Sequence, residues 1–293
     1  MVAKIIDGKV VADRIRAEIA SSVADYTEKT GYAPGLGVVL VGDDPASAMY
    51  VRMKRRACES VGMVSKAEIL PASATQEEVE NIVRQYNADP NIHGILVQLP
   101  MPDHIDEEAV LNLISIEKDV DGIHPINVGM LGMRGREPSF TPATPTGSMI
   151  LIEETGVQIE GKQAVVVGRS NIVGLPISLM LMNANATVTT CHSRTKDLQG
   201  YLKNADIVVA AIGRAEFIKG EWLKEGAIVI DVGSNSVDDP TAKKGYRYVG
   251  DVEFESAKDV AGYITKVPGG VGPMTITILL QNTIKAAWNL IEA

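Results

Sequence analysis

Short apolar runs alternate with longer amphipathic stretches along the first half of the chain. The runs at Leu36–Val41, Val64–Leu70 and Gly94–Leu99 have the length and composition of strands. Each is followed by a segment with helical periodicity, and one of these helices opens at Thr75 with a glutamate at the capping-box position three residues later. Three strand–helix units in succession predict a mostly parallel sheet covered by helices.

The same alternation resumes in the second half, after a glycine- and proline-rich stretch over residues 119–146. That stretch has weak periodicity and is expected to be a linker that lines a cleft. Beyond it, strands are expected at residues 164–167, 187–190, 207–212 and 227–232, and a helix is expected over residues 274–291. The pattern therefore predicts an α/β protein with two domains, residues 1–145 and residues 146–273, and a closing helix within residues 274–293.

Composition narrows the class of protein. The 293 residues are 45% hydrophobic and 22% charged, as in globular proteins. A net charge of −9 and an aromatic content of 4% argue against nucleic-acid binding. No apolar run approaches the roughly 20 residues of a membrane-spanning helix. Two distant cysteines and a start without the pattern of a secretory leader favour the cytoplasm.

The strongest nucleotide-binding signal follows the first strand of the second half. That strand runs into Gly168, and Gly174 opens a helix whose amino end could receive a phosphate. The spacing is not G-x-G-x-x-G, so a glycine-stopped strand of any α/β domain stays an alternative. At the next strand end, where an NAD site places an acidic residue, the chain has Ser193 and Arg194. Together with Arg169, these residues favour NADP over NAD.

Candidate catalytic groups lie in the first half. Tyr50 and Lys54 are four residues apart and share a helix face, although a basic, solvated helix is the plainer interpretation. Gln98 at a strand end and Asp121 before a glycine are placed where α/β sheets bind ligands, although a capping amide and a turn residue look the same in sequence. The four histidines are expected at the surface or in loops, and their spacing predicts no metal site.

Five motifs in order make the chain resemble the bifunctional methylenetetrahydrofolate dehydrogenase/methenyltetrahydrofolate cyclohydrolase family over essentially its whole length. They are Tyr50-Val-Arg-Met-Lys54-Arg, Gly94-Ile-Leu-Val-Gln98-Leu-Pro100, Lys118-Asp-Val-Asp121-Gly122, Gly168-Arg-Ser170 with Val173-Gly174-Leu-Pro176, and Pro268-Gly-Gly-Val-Gly-Pro273. The resemblance implies NADP-dependent oxidation of 5,10-methylenetetrahydrofolate to the methenyl compound, and hydrolysis of that compound to 10-formyltetrahydrofolate, within one-carbon metabolism.

The resemblance also implies roles for individual residues. Lys54 falls on the catalytic lysine, with Tyr50 against the folate ring, Gln98 beside the lysine and Asp121 on the pterin. Further substrate-side positions are Val97, Leu99, Pro268, Gly269, Gly270 and Gly272. The NADP-contacting positions are Gly168, Arg169, Ser170, Ser193, Arg194 and Ser234. The chain departs from the family at Ala143, where cysteine is common, and at Ser234, where an apolar residue is common.

At the level of architecture, the resemblance implies two domains flanking a deep cleft. The second would be a Rossmann-like NADP-binding domain, the last helix would pack back on the first domain, and the protein would be a homodimer. Two other functions stay open at this stage. A monofunctional NADP dehydrogenase would not require Lys54, and a nucleotide-sensing module would use its first domain only to recruit a partner.

Overall fold

The computed structural model describes residues 2–242 and 244–292, which form eleven strands and ten α-helices. In the first half these are β1 (Lys4–Ile6), α1 (Gly8–Thr30), β2 (Gly35–Val41), α2 (Pro45–Ser60), β3 (Val64–Leu70), α3 (Gln76–Ala88), β4 (Gly94–Val97), α4 (Glu107–Asn112) and α5 (Pro125–Leu131). In the second half they are α6 (Ala143–Glu153), β5 (Gln163–Val167), α7 (Gly174–Asn183), β6 (Thr187–Cys191), α8 (Leu198–Lys203), β7 (Ile207–Ala210), β8 (Ile228–Asp231), β9 (Asn235–Asp238), β10 (Tyr246–Val249), α9 (Phe254–Ala257), β11 (Tyr263–Thr265) and α10 (Val271–Glu292).

The chain divides into two compact units. One combines Asp13–Ala143 with the residues from Ile276 onwards, and we call it the lysine unit after Lys54. The other combines the residues up to Ala12 with Thr144–Thr275, and we call it the glycine-turn unit after the turn at Gly168. The two-domain α/β architecture expected from the sequence is confirmed.

The lysine unit is built on a parallel sheet with the strand order β3-β2-β4. Its helix α3 begins as expected: the Thr75 side chain accepts from the Glu78 amide, and the Glu78 carboxylate accepts from the Thr75 amide. The apolar stripe of α3, which includes Val79 and Val83, packs against the buried face of the sheet. The residues that directly follow β2 and β4 lie outside this apolar contact, so polar side chains can stand there.

Helix α10 contributes its later turns to the lysine unit, as the resemblance implies. The Asn282 amide donates to the carbonyls of Val120 (2.8 Å) and Thr141 (3.2 Å), and the Trp288 indole donates to Ser22 (3.0 Å). The closing helix therefore ties together segments that are far apart in sequence.

The glycine-turn unit contains a six-stranded sheet with the order β1-β11-β8-β7-β5-β6, and every strand pair in it is parallel. The chain runs from β5 to β6 on one side and then returns to β7 on the other side of β5. The strand order therefore reverses between β5 and β7, and ligands of open α/β sheets bind at such a point. This is the Rossmann-like organisation predicted from the sequence.

Three local expectations differ from the structure. Residues 4–6 were assigned to the first domain, but they form β1 and pair with β11 in the glycine-turn unit. Residues 119–146 contain α5 and the start of α6, because prolines in the first turn of a helix do not interrupt it. His93 is buried, not at the surface: its Nδ1 accepts from the Gly35 amide and its Nε2 lies 3.0 Å from the Tyr26 hydroxyl.

Candidate functional site

Lys54, Gln98 and Asp121 form one cluster in the lysine unit. Helix α2 begins after Asp44, whose carboxylate accepts from the Ser47 amide (2.7 Å), and this start places Lys54 in the third turn. The Lys54 ammonium Nζ donates to Gln98 Oε1 at 2.9 Å. The Gln98 amide in turn donates to the carbonyl of Leu99 at 2.7 Å, which fixes the direction of its oxygen. The lysine is thus held by a hydrogen bond whose acceptor is itself anchored.

Burial and charge act in opposite directions on this cluster. Burial lowers the pKa of Lys54, and the nearby Asp121 carboxylate and Cys58 thiol raise it by smaller amounts. Burial raises the pKa of Asp121, and Lys54 offsets part of that effect. Both side chains are only half-buried by surface area, so a ligand and water can reach them. The net result is a lysine that loses its proton more readily than a solvated one, beside a carboxylate.

The residues before Asp121 have structural roles that the sequence did not separate from the functional one. Lys118 is buried, and its ammonium donates to the carbonyls of Tyr86 (3.0 Å), Asn87 (2.9 Å) and Asp89 (2.8 Å) at the end of α3.

Asp119 is also buried, and it accepts from the amides of Ile123 (3.3 Å) and His124 (2.9 Å) and from Asn127 Nδ2 (2.7 Å). Burial raises the pKa of Asp119 to about 6. These two anchors, both directly before Val120, fix the backbone from which Asp121 projects.

The turn after Asp121 is equally constrained. Gly122 has a φ of +70°, and a Cβ there would lie 2.4 Å from the carbonyl carbon of Thr141. The Ala143 amide donates to the Asp121 carbonyl at 3.2 Å, and the Ala143 side chain is buried. Ala143 therefore places a small apolar side chain near the backbone of Asp121. The hydrogen bond from the Ala143 amide to the Asp121 carbonyl does not depend on which side chain stands at position 143.

The remaining substrate-side candidates are placed differently from one another. Tyr50 is 38% exposed on α2, one turn before Lys54, and presents its ring to solvent. Val97 is 3% exposed and Leu99 packs on the same core, so the side chain of Val97 faces the interior. Only the Val97 backbone could touch a ligand, a distinction that the strand pattern does not provide.

The loop from Pro268 to Gly272 belongs to the glycine-turn unit. Gly269 has a φ of +107°, and its carbonyl accepts from the Lys9 amide at 3.1 Å. A Cβ on Gly270 would lie 2.7 Å from the Lys266 carbonyl oxygen, whereas a Cβ on Gly272 would meet nothing within 4 Å. The loop is therefore packed against the start of α1, with open space only at its end.

The predicted phosphate turn is a tight strand-to-helix connection. Gly168 ends β5 with a φ of +127°, and a Cβ there would lie 2.1 Å from the Ala211 carbonyl oxygen. A Cβ on Gly174 would lie 2.3 Å from the Gly168 carbonyl oxygen. Ser170 Oγ accepts from the amides of Val173 (3.2 Å) and Gly174 (3.3 Å), so Ser170 closes the turn. Both glycines are required by space and are buried, and residues 169–172 between them form the exposed part of the turn.

The turn after β6 carries the residues predicted to select the cofactor. Its backbone is closed locally: the Arg194 amide donates to His192 Nδ1 (3.2 Å), and the His192 amide donates to Thr195 Oγ1 (2.8 Å). The side chains of Arg169, Ser193 and Arg194 are exposed, and neither guanidinium pairs with a carboxylate within the described residues. Ser234, after β8, is exposed as well. These positive charges are available to a phosphate.

The described residues contain neither a metal-binding cluster nor a membrane-spanning helix. No group of three or more His, Cys, Asp or Glu side chains in residues 2–242 and 244–292 is arranged to hold a metal ion. No helix in that part of the chain has both the length and the apolar composition needed to cross a bilayer.

Comparisons with known proteins bear on the family and the fold. The sequence profile of the tetrahydrofolate dehydrogenase/cyclohydrolase catalytic domain matches residues 6–121, and that of the NAD(P)-binding domain matches residues 142–290. The chain is 56% identical to the bifunctional protein FolD 2 of Arabidopsis thaliana, over 97% of this chain and 95% of the relative. It is 54% identical to the bifunctional protein FolD of Moorella thermoacetica, over 98% and 99%.

Among solved structures, the fold is similar to that of the Trypanosoma brucei N5,N10-methylenetetrahydrofolate dehydrogenase-cyclohydrolase, which was determined with NADP cofactor and inhibitor. The two share 44% identity with a TM-score of 0.96, over the full length of both chains. A Campylobacter jejuni methylenetetrahydrofolate dehydrogenase/cyclohydrolase is 45% identical with a TM-score of 0.91, over 98% of this chain and 99% of the other.

Proposed function

Because the chain belongs to the tetrahydrofolate dehydrogenase/cyclohydrolase family, we propose that Lys54, held by Gln98 and Asp121, moves the proton in its hydrolytic reaction. The enzyme is bifunctional and uses NADP. It oxidises 5,10-methylenetetrahydrofolate to 5,10-methenyltetrahydrofolate, and it hydrolyses this cation to 10-formyltetrahydrofolate. The observation that carries the assignment to Lys54 is its 2.9 Å bond to Gln98 beside the Asp121 carboxylate.

The oxidation depends more on how the protein positions the substrate and the cofactor than on acid or base catalysis. When bound, NADP would supply the acceptor for the hydride that leaves the one-carbon bridge of the substrate, and a methenyl cation would remain on the folate. Asp121 accepts hydrogen bonds from the N–H groups of the pterin, and Tyr50 offers a flat apolar face to the ring. The Asp121 carboxylate is suited to this work because buried Lys118 and Asp119 fix the chain before it and the Ala143 amide holds its carbonyl. A fixed carboxylate orients the carbon that loses the hydride.

The hydrolysis needs a proton acceptor. Water adds to the methenyl carbon and loses one proton, which a neutral amine can take. The resulting ammonium can return this proton to the ring nitrogen as the C–N bond opens, and the second water proton is released as the formyl C=O forms. Burial lowers the pKa of Lys54 and so increases the fraction of neutral amine near neutral pH. Gln98 orients the nitrogen during both transfers.

In the glycine-turn unit, the turn from Gly168 to Gly174 is the proposed binding site of the NADP pyrophosphate. Residues 169–172 of this turn are exposed, so their backbone is open to a ligand, and the start of α7 directs its dipole toward the same place. Ser193 and Arg194 are proposed to hold the 2′-phosphate, since both side chains are exposed at the end of β6 and Arg194 has no carboxylate partner in the described chain. Arg169 and Ser234 complete the proposed set.

A homodimer, residence in the cytoplasm and supply of one-carbon units to purine, methionine and histidine biosynthesis belong to the same proposal. They rest on the likeness to the family. Light scattering during size-exclusion chromatography measures the mass in solution: about twice the 31.3 kDa of one chain is expected, and a mass of one chain would refute the dimer.

The test of the proposed function follows both reactions in one purified protein. NADPH and methenyltetrahydrofolate are measured separately during oxidation, and chemically prepared methenyltetrahydrofolate is used for hydrolysis alone. Replacing Lys54 with Met removes the nitrogen but keeps the chain length, so cyclohydrolase activity should fall by about 10²–10⁴-fold. Replacing Lys54 with Arg should give a similar loss, because a guanidinium keeps its proton. Dehydrogenase activity should fall less in both variants.

Lys66→Met is the matched control. Lys66 lies on β3 of the same unit, is exposed, and pairs with Asp89 at 3.6 Å, so its loss should leave both activities unchanged. Near-normal hydrolysis by a folded Lys54→Met protein would remove Lys54 from the mechanism. A Lys54→Arg protein that hydrolyses normally would show that only the positive charge matters.

A further inference from the structure

Two buried carboxylates, Asp231 and Asp251, lie in the glycine-turn unit outside the residues assigned to cofactor binding. Asp251 is 0% exposed and Asp231 is 4% exposed. Neither has a lysine or arginine partner within the described residues. Buried carboxylates without a cationic partner carry a large desolvation penalty and are retained only when hydrogen bonds offset it. Burial raises the pKa of Asp231 to about 7, which reflects that penalty.

Asp251 collects four donors from two separate loops. Its Oδ2 accepts from the amides of Ile212 (2.6 Å) and Gly213 (3.0 Å). Its Oδ1 accepts from the Arg214 amide (2.9 Å) and from Asn235 Nδ2 (2.9 Å). Three consecutive amides that converge on one point form a backbone anion site, and here the protein's own carboxylate occupies it. The loop after β7 is therefore shaped around Asp251.

Asp231 extends the same arrangement to the loop after β8. Its Oδ1 accepts from the amides of Gly233 and Asp251, both at 2.9 Å, and its Oδ2 accepts from the Val252 amide at 2.9 Å. The Asp231 amide donates to Thr265 Oγ1 at 2.8 Å. The two carboxylates are thus linked through the backbone of Asp251, and together they fix residues 212–214, residue 233 and residues 251–252.

The position of Asp231 and Asp251 in the sheet indicates which ligand the clamped loops face. Both clamped loops leave the carboxyl ends of their strands, and β7 stands next to β5 where the strand order reverses. The Gly168 turn touches the β7 loop directly, since a Cβ on Gly168 would lie 2.1 Å from the Ala211 oxygen. Arg194 lies beyond β6, on the opposite side of β5. A dinucleotide that crosses the reversal point with its 2′-phosphate at Arg194 extends its other end over β7 and β8.

We propose that Asp251, supported by Asp231, is a positioning residue that holds the loops after β7 and β8 in the shape that receives the nicotinamide half of NADP. The inference rests on the proposed function, because it assigns the 2′-phosphate to the β6 side. The proposed role of Asp251 affects the dehydrogenase reaction alone. The hydrolytic reaction uses no NADP and takes its proton acceptor from the lysine unit, so the two reactions of one molecule report separately on the clamp.

Asp251→Asn tests the clamp with almost no change in volume. An amide side chain has one acceptor oxygen in place of two, so two of the four donors would face an NH₂ group. The KM for NADP in the dehydrogenase reaction should rise by roughly 10- to 100-fold, the range expected when a binding group moves by about 1 Å. Cyclohydrolase kcat/KM, measured on methenyltetrahydrofolate without NADP, should stay within about twofold of the wild-type value.

Asp206→Asn is the matched control. Asp206 accepts from the Gln163 amide (2.9 Å) and pairs with Lys224 (2.7 Å), but it lies at the amino ends of β5 and β7. The same substitution there removes comparable bonds in the same unit and should leave the KM for NADP unchanged. An equal rise of the KM in both variants would show that loss of stability, not loop shape, is responsible.

Gly213→Ala provides a second route to the answer if Asp251→Asn does not fold. Gly213 has a φ of +64°, and an added Cβ would meet nothing within 4 Å, so the methyl group strains the clamped loop without a clash. The KM for NADP should again rise while hydrolysis is retained. Unchanged NADP kinetics in this variant, or in folded Asp251→Asn, would overturn the inference. A wild-type protein with neither reaction would instead overturn the proposed function.

Discussion

Replacing Arg194 with Ala should separate the two nicotinamide cofactors. The Arg194 side chain is exposed and has no carboxylate partner in the described chain, whereas its amide is bonded to His192 Nδ1. The substitution therefore removes the guanidinium and keeps the turn. A hydrogen bond to a charged group contributes about 1.5–3 kcal/mol, and each 1.4 kcal/mol is a factor of ten. The kcat/KM with NADP should fall by roughly 10- to 150-fold, and that with NAD should change by less than about twofold, because NAD has no 2′-phosphate.

The assay measures initial rates of dehydrogenase activity with each cofactor at fixed methylenetetrahydrofolate, at low and high salt. Arg247→Ala is the control: Arg247 is another exposed arginine of the same unit, and it pairs with Glu216 and Asp239 at 3.7 Å. It should leave the NADP/NAD ratio unchanged. Equal losses for NADP and NAD in Arg194→Ala would refute the reasoning, because they would show that Arg194 supports the turn and does not read the phosphate.

Three further predictions concern charge and backbone. Asp121→Asn removes the carboxylate that raises the pKa of Lys54, so the pH profile of hydrolysis should shift to lower pH while the KM for folate rises; an unshifted profile would uncouple the two groups. Gly168→Ala should lower the free energy of unfolding in urea by several kcal/mol, because the added methyl group would overlap a carbonyl oxygen. Gly156→Ala is the control: Gly156 has a φ of +71° and open space around it, so the substitution should cost about 1–2 kcal/mol. The folded-state pKa of Asp231, about 7, lies above its unfolded value of 3.8, so the folded protein holds an extra proton between these pH values and loses stability as pH rises through them. Relative to Asp231→Asn, the unfolding free energy of the wild type should fall by about 1.4 kcal/mol per pH unit from pH 5 to 7, and parallel curves would contradict this.

The strands were the most predictable part of the fold. β3 begins and ends where the alternation of its side chains indicates, and α3 begins at its capping box, since both patterns depend only on neighbouring residues. The site cluster was predictable in part for the same reason. Helix periodicity placed Tyr50 and Lys54 on one face and the strand pattern placed Gln98 at a strand end, whereas only the resemblance to the family placed Gln98 beside Lys54.

What depends on distant partners could not be read from the pattern. Lys118 and Asp121 look alike as charged loop residues, yet Lys118 is buried because three carbonyls about thirty positions away surround its ammonium. The carboxylate pair at Asp231 and Asp251 was missed, because the donors of Asp251 lie 16 to 39 positions away in sequence. Local periodicity carries no information about such partners, and only the fold brings them together.

The interleaving of the two units along the chain has a consequence for synthesis on the ribosome. β1 is made about 260 residues before its pairing partner β11. The lysine unit receives Asn282 and Trp288 only when the last helix emerges. Each unit is therefore completed only after most or all of the other has been made. A nascent chain of this protein must stay partly assembled until α10 has emerged.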